Sequence, residues 1–181
     1  MTIDKIETPR EFFEHVVNLD AKDFLEMPTE LRLAYHACTS LLSLRDWIYQ
    51  SYNNRGWTWS THSQGNMTSI GELQRSLNAI DQVFGITTDI ANATKHMILD
   101  PDRRQTSLYG AANLQIQTVT KVLGGSMLNT DMLGNFMLNQ NPTAVTSNRV
   151  RVQIGSVYYD VLSCVLLAKD IWSNLIEENA W

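Results

Sequence analysis

Hydrophobic positions in the first half of the chain recur with the period of an α-helix. Thr8 and Glu11 have the spacing of a capping box, and an apolar stripe follows them from Phe12. A connector is expected at 20–27. The next segment, at about 29–49, is apolar around most of its circumference, as is typical of a central helix packed on several sides.

Two further helices are predicted before residue 100. The letters SIGE at 69–72 form another capping box and start a helix that should run to about Phe84. Gly85 is expected to break that helix. Thr87 or Thr88 would then cap a helix that carries the letters DIANATKHMIL.

The period changes from helical to alternating after residue 100. LQIQTVTKVLGG is β-branched and alternating, and NRVRVQIGSVYY gives the strongest strand signal, with Gly155 and Ser156 suited to a two-residue turn. A short strand or hairpin is possible within 126–147. Asp160 can cap a last helix, which we expect Trp172 and Leu175 to anchor.

These elements predict an α+β fold. About four helices form an N-terminal bundle, and a small antiparallel sheet with a closing helix follows. We expect a single domain over 1–181, with a helical half at 1–100 and a strand-strand-helix half at 115–181.

Composition and charge narrow the functional classes. The chain is 44% hydrophobic and 18% charged, and its net charge of -5 argues against a surface that attracts nucleic acid or anionic lipid as a whole. No stretch has the length of a membrane span and no signal peptide is visible, so a cytoplasmic location is expected. Cys38 and Cys164 lie in apolar helical patterns and should be small core residues.

Strong catalytic motifs are absent from the sequence. It contains no HExxH, no pair of CxxC motifs, no GxGxxG after a strand and no GxSxG, so no metal or cofactor is expected. Arg149 and Arg151 share one face of a predicted strand and could contact phosphate. A solvated strand edge is the favoured interpretation of that pair.

One polar stripe stands out on the central helix. At about 100° per residue, its polar side chains fall on a single narrow face. Its members are Arg32, His36, Thr39, Ser43, Asp46 and Gln50. The stripe is a candidate wall of a binding site.

The second candidate wall is the segment DIANATKH, which also carries Lys95. On a helix, Asp89, Asn92, His96 and Asp100 fall within about 80° of one another. A carboxylate beside His96 would raise the affinity of the imidazole for its proton. The simpler interpretation is that Asp100 or Asp89 only satisfies His96 at the helix end. If the two stripes face each other, two imidazoles, an arginine and carboxylates converge in a groove.

Two segments carry a resemblance to known families. HACTSLLSLRDW, followed some forty residues later by DIANATKH, resembles a family of short bacterial proteins of uncharacterised function with an HA…L.DW segment, a D.AN..KH segment and a strand-strand-helix tail. The similarity covers residues 28–100 well and 145–176 loosely. Because that family has no established activity, the resemblance implies no activity for this chain.

A more distant resemblance is to the HEPN superfamily of helical bundles, which often dimerise and cut RNA. Asn92 and His96 would match the polar residue and the histidine of the HEPN motif, but Ala91 stands where the motif has its arginine. Arg32 and His36 lie on another helix with one intervening residue too few. Without that arginine the cleavage mechanism loses its electrostatic partner, so the resemblance implies fold more than activity.

Three hypotheses follow. The favoured one is a non-catalytic binding or accessory module, homodimeric, with a possible protein partner and with no DNA or membrane expected. The alternative is a metal-independent ribonuclease that uses His96 and His36, with Arg32 contacting phosphate, and RNA is a partner only in that case. A third is a small-ligand pocket lined by the polar stripes and by Trp47, Trp57 and Trp59.

Overall fold

The computed structural model describes residues 5–52, 69–94, 105–106, 113–123, 143–179 and 181. For 119–123 and 143–145 it describes the backbone alone. Helices precede a three-stranded sheet, and a long helix follows it. In chain order the elements are α1 (Pro9–Phe12), a π-helical turn (Phe13–Val17), α2 (Asn18–Glu26), α3 (Leu31–Tyr52), α4 (Ile70–Ile80), α5 (Val83–Ala93), β1 (Leu114–Leu123), β2 (Thr143–Ile154), β3 (Val157–Asp160) and α6 (Val161–Asn179).

The first helix begins as the sequence predicts and runs further. Thr8 Oγ1 accepts from the Glu11 backbone N–H at 3.2 Å, and Glu11 Oε2 accepts from the Thr8 N–H at 3.1 Å, which completes the capping box. The connector expected at 20–27 is wrong, because α2 occupies it. Ala21 and Phe24 are buried there since they continue the apolar stripe one and two turns beyond Val17.

The boundary between α4 and α5 also differs from the prediction. The helix α4 ends at Ile80, and Asp81 Oδ1 accepts from the Val83 N–H at 2.9 Å, at the start of α5. Thr87 and Thr88 are therefore buried inside α5 rather than capping it.

Gly85 packs closely against a distant segment instead of breaking a helix. A Cβ atom at Gly85 would lie 3.3 Å from Gln105 Cβ and 3.4 Å from Thr106 Cγ2. The segment 105–106 rests on α5 at this point. The absent side chain therefore allows the contact.

The sheet confirms the predicted strands. Its order is β1-β2-β3, antiparallel throughout, with Leu114 opposite Val152 and Ile154 opposite Val157. Gly155 takes a φ of 60° in the two-residue connection between β2 and β3. Val150 and Val152 are buried on one face. The α+β fold class is confirmed.

The helix α6 closes the structure as the sequence predicts. Asp160 Oδ1 accepts from the Ser163 backbone N–H at 2.9 Å, at the start of the helix. Trp172 is 1% exposed and packs edge-on against Phe84 of α5, with ring centroids 5.6 Å apart, and Leu175 is buried as well. The predicted anchoring of α6 is confirmed.

None of the helices within the described ranges combines the length and the apolar character needed to cross a membrane.

Candidate functional site

The helix α3 presents the first part of its polar stripe to solvent. Arg32 and His36 lie four residues apart and are both exposed, while Thr39, one turn further on, is half-buried. The neighbouring positions Leu33, Ala34, Ala37 and Cys38 are buried in the core. The helical period therefore leaves Arg32 and His36 pointing away from the core.

The start of α3 and the end of α5 enclose an open groove of about 650 Å³. That volume is within the range of sites that hold small molecules, about 300–1,000 Å³. Of the residues that the structure describes, seven line the groove: Leu31, Arg32, Tyr35, His36, Thr39, Ala93 and Thr94. The structure thus joins the predicted stripe of α3 to the end of the helix that carries DIANA.

Among the described residues that line the groove, Arg32 is cationic, His36 carries an imidazole and none is acidic. Neither Arg32 nor His36 makes a hydrogen bond or an ion pair within the part of the chain that the structure covers. Burial, and to a lesser degree the neighbouring Cys38, raises the pKa of Tyr35 above its usual value. The phenol therefore stays protonated near neutral pH and can donate a hydrogen bond. Together these groups can bind an anion.

Asp89 has a different role from the one its place in DIANATKH suggests. It is 0% exposed, and its two oxygens accept from the Gln105 N–H at 2.7 Å, the Thr106 N–H at 2.6 Å and the Thr106 hydroxyl at 2.7 Å. Both carboxylate oxygens therefore hold the 105–106 segment against α5. Asp89 does not line the groove.

A buried polar cluster next to Asp89 is not anticipated by the sequence. Gln74 is 4% exposed, and its Oε1 accepts from Arg45 Nη1 at 2.7 Å and from the Thr88 hydroxyl at 3.3 Å. Its Nε2 donates to Asn78 Oδ1 at 2.8 Å. A glutamine between Leu73 and Leu77 on the buried face of α4 is the only signal of this cluster in the sequence.

Of the remaining predicted site residues, two lie within the described part of the chain and three lie outside it. Asp46 binds its neighbour Arg45, with Oδ1 accepting from Nε at 2.9 Å and from Nη2 at 2.7 Å, and it does not line the groove. Asn92 is half-buried on α5 and does not line the groove either. Lys95, His96 and Asp100 lie outside the described residues, so a groove shared by His36 and His96 stays a prediction.

The tryptophan pocket is likewise only partly covered. Trp47 stacks on Phe12 with ring centroids 5.3 Å apart, and it is not among the residues that line the groove. Trp57 and Trp59 lie outside the described residues.

The two thiols are enclosed by the core. Cys38 and Cys164 are free and buried. Burial raises the pKa of both thiols. The neighbouring Cys164 raises the pKa of Cys38 further, and the charges of Asp160 and Asp81 help to raise that of Cys164 to about 12. Neither thiol is an accessible nucleophile, since a reactive cysteine needs exposure and thiolate character.

The groove has the side chains to bind and orient an anionic group. Its described lining residues do not include a carboxylate or a thiol that could act together with His36 in catalysis. Within the described ranges, no three His, Cys, Asp or Glu side chains lie close enough to hold a metal ion. The chain matches no protein family, and comparisons with curated proteins and with solved structures find no similar protein.

Proposed function

We propose that the chain is a non-catalytic binding module of the cytoplasm that recognises an anionic ligand in the groove between α3 and α5. The observation that carries this proposal is the pair Arg32 and His36. Both side chains are exposed in a concave site, and neither has a partner within the described residues. An arginine and an imidazole without internal partners at a concave surface suit an anionic ligand, because the guanidinium attracts the charge and both groups can donate hydrogen bonds to it.

The test is a thermal-shift screen with a panel of phosphate-, sulfate- and carboxylate-bearing metabolites. A ligand present at a hundred times its Kd stabilises the folded state by about 2.7 kcal/mol. We expect at least one anionic compound to raise the Tm of the parent. The variant Arg32→Ala/His36→Ala should lose that shift.

The matched control is Arg75→Ala on α4. The Arg75 side chain is 73% exposed and lies 4.0 Å from Glu72, away from the groove-lining residues. This control should keep the shift. A panel without any stabilising compound, or a shift that survives in the groove variant, would contradict the proposal.

The proposal includes a homodimer. Three large apolar side chains on α2 and at its end are about half exposed: Leu19 at 53%, Leu25 at 52% and Met27 at 49%. Exposed apolar surface of this kind is suited to association. Light scattering on the purified protein should give twice the chain mass, and Leu25→Lys should shift the population toward the monomer. A parent protein that is monomeric at micromolar concentration would contradict the proposed homodimer.

A metal-independent ribonuclease is the second candidate. It is favoured by the proximity of Arg32 and His36 in a groove that also includes Thr94, two residues before His96 in the chain. An arginine could hold a phosphate while imidazoles move protons, as in general acid-base cleavage.

Incubation with labelled RNA in the presence of EDTA separates the two candidates. Cleavage that disappears in both His36→Ala and His96→Ala would replace the non-catalytic proposal by the ribonuclease. Intact RNA, or cleavage that persists in both variants, would remove the ribonuclease.

A further inference from the structure

The face of the sheet opposite Val150 and Val152 carries a set of polar side chains, here called the polar sheet face: Gln115, Gln117, Arg149, Arg151, Gln153, Tyr158 and Asp160. The register places Gln117 opposite Arg149 and Gln115 opposite Arg151. Directly opposite residues in an antiparallel pair lie on the same face. Since β2 lies between β1 and β3, Arg151 is in the interior of the sheet and not on the solvated edge that the sequence favours.

The two arginines of the polar sheet face have no internal acceptor. Neither guanidinium makes a hydrogen bond or an ion pair within the described ranges, and Arg151 Nε is buried without an acceptor. Asp160 is opposite Arg151 in the register, but its Oδ1 accepts from the backbone N–H and hydroxyl of Ser163. A buried donor without an acceptor is rare in folded proteins, and no carboxylate within the described residues forms an ion pair with either guanidinium.

Tyr158 fixes the position of one of these groups. The Arg151 guanidinium carbon lies 5.9 Å from the centroid of the Tyr158 ring, a cation-π distance. The Tyr158 hydroxyl donates to Gln153 Oε1 at 3.2 Å, which holds the ring in place. The Arg151 guanidinium is therefore oriented before any ligand binds.

We propose that the polar sheet face binds a single strand of nucleic acid, with its phosphates on Arg149 and Arg151. Two cations spaced two residues apart along a strand suit a ligand with repeated negative charges. Gln115 and Gln117 lie across from them, and their amides offer both donors and acceptors that base edges can use. The inference goes beyond the proposed function, because none of these residues lines the groove.

The test is fluorescence anisotropy with a labelled uridine 12-mer and a labelled thymidine 12-mer, measured over a range of salt concentrations. For single strands, the slope of log affinity against log salt changes by about 0.7 for each phosphate contact. Arg149→Gln/Arg151→Gln should lower the slope by about 1.4 and weaken binding at least tenfold at low salt. The two oligonucleotides distinguish a preference for RNA from a preference for DNA.

Two further variants make the result specific. Arg149→Lys/Arg151→Lys keeps the charges and should retain most of the slope, whereas Arg75→Gln removes an exposed arginine elsewhere and should bind as the parent does. Circular dichroism confirms that each variant is folded, and the single variant Arg149→Gln replaces the double variant if that one unfolds.

Three results would overturn the inference. The first is no binding of either oligonucleotide by the parent at low salt, and the second is an unchanged slope in the double glutamine variant. The third is displacement of the oligonucleotide by polyglutamate at equal charge concentration, which would instead identify an acidic protein segment as the partner.

Discussion

Polar groups in the middle of α5 and polar groups at its end lie in opposite environments. In the middle of the helix, Thr88 is enclosed and hydrogen-bonded to Gln74, and Asp89 is enclosed and hydrogen-bonded to the 105–106 segment. At its end, Thr94 borders an open groove where Arg32 and His36 have no partner within the described residues. The same helix thus contributes to a buried polar cluster that stabilises the fold and to an exposed polar surface that makes no such hydrogen bonds within the described residues.

This difference separates two kinds of polar residue that look alike in the sequence. A buried carboxylate must be hydrogen-bonded, so Asp89 is used by the structure itself. An exposed arginine contributes little to stability unless it is paired, so Arg32 is available to a ligand. Mutations in the enclosed middle of α5 should therefore change stability, and mutations at its open end should change binding alone.

The largest effect is expected where α6 packs against Phe84, in the buried first turn of α5. Trp172→Ala removes a fully buried indole that contacts Phe84, and such truncations cost about 3–5 kcal/mol. For a chain of this size the Tm should fall by about 6–20 °C. Leu167→Ala on the same helix, at a position that is 44% exposed, should change the Tm little. A Trp172→Ala melt within two degrees of the parent would show that the contact is peripheral.

Asp89→Asn tests the hydrogen bonds in the enclosed middle of α5 directly. The amide keeps the size of the side chain but loses the charge, and its NH2 group faces donors that need an acceptor. We expect a loss of about 2–3 kcal/mol in urea unfolding. Asp46→Asn, at a side chain that is 50% exposed, is the control and should cost much less. Equal stability of the two variants would mean that the 105–106 segment is not held by Asp89.

The enclosed thiols predict a loss of stability at alkaline pH. Burial raises the pKa of Cys38 above its usual value of 9.0, so the folded state keeps the proton that the unfolded state releases. This contribution is fully present below the unfolded pKa and is lost as the pH rises toward the folded one. At pH 10.5 the loss for this thiol should be about 2 kcal/mol relative to pH 8. Cys38→Ala should reduce the loss in free energy of unfolding between pH 8 and pH 10.5 by that amount. An unchanged pH dependence in this variant would contradict the burial of the Cys38 thiol.

The smallest stability effect is expected at the open end. Arg32→Ala/His36→Ala should change the free energy of unfolding by less than about 0.5 kcal/mol, because neither side chain has a partner within the described residues. A chemical denaturation curve that overlays the parent, together with a lost ligand shift, would separate binding from folding. A destabilisation above about 1 kcal/mol would show that the groove residues support the fold.

The parts of the fold that depend on local spacing could be predicted from the sequence. The alternation of β2, the turn at Gly155 and the cap at Asp160 each involve residues at most four apart, and all three are confirmed. The exposure of Arg32 and His36 follows from the helical period in the same way.

The parts that depend on distant contacts could not be predicted. The sequence predicts too late a start for α5 because a glycine at position 85 indicates a helix break, whereas Gly85 allows the 105–106 segment to pack closely on α5. Asp89 and Gln74 find partners 16 and 29 residues away, at Gln105 and Arg45, and no local pattern indicates those pairings.

The contact between α1 and the last turn of α6 has a consequence for the order of folding. Arg10 Nε donates to the Trp181 carbonyl at 2.9 Å and Nη2 donates to the Ile176 carbonyl at 3.3 Å, which joins residues 171 positions apart. A loop of that length is costly to close before the intervening elements have formed, so this docking should come late. Trp181 also lies 5.8 Å from the ring of Tyr52 and 6.5 Å from that of Trp172. Its fluorescence should therefore change in the last kinetic phase of refolding, after the helical circular dichroism signal has recovered.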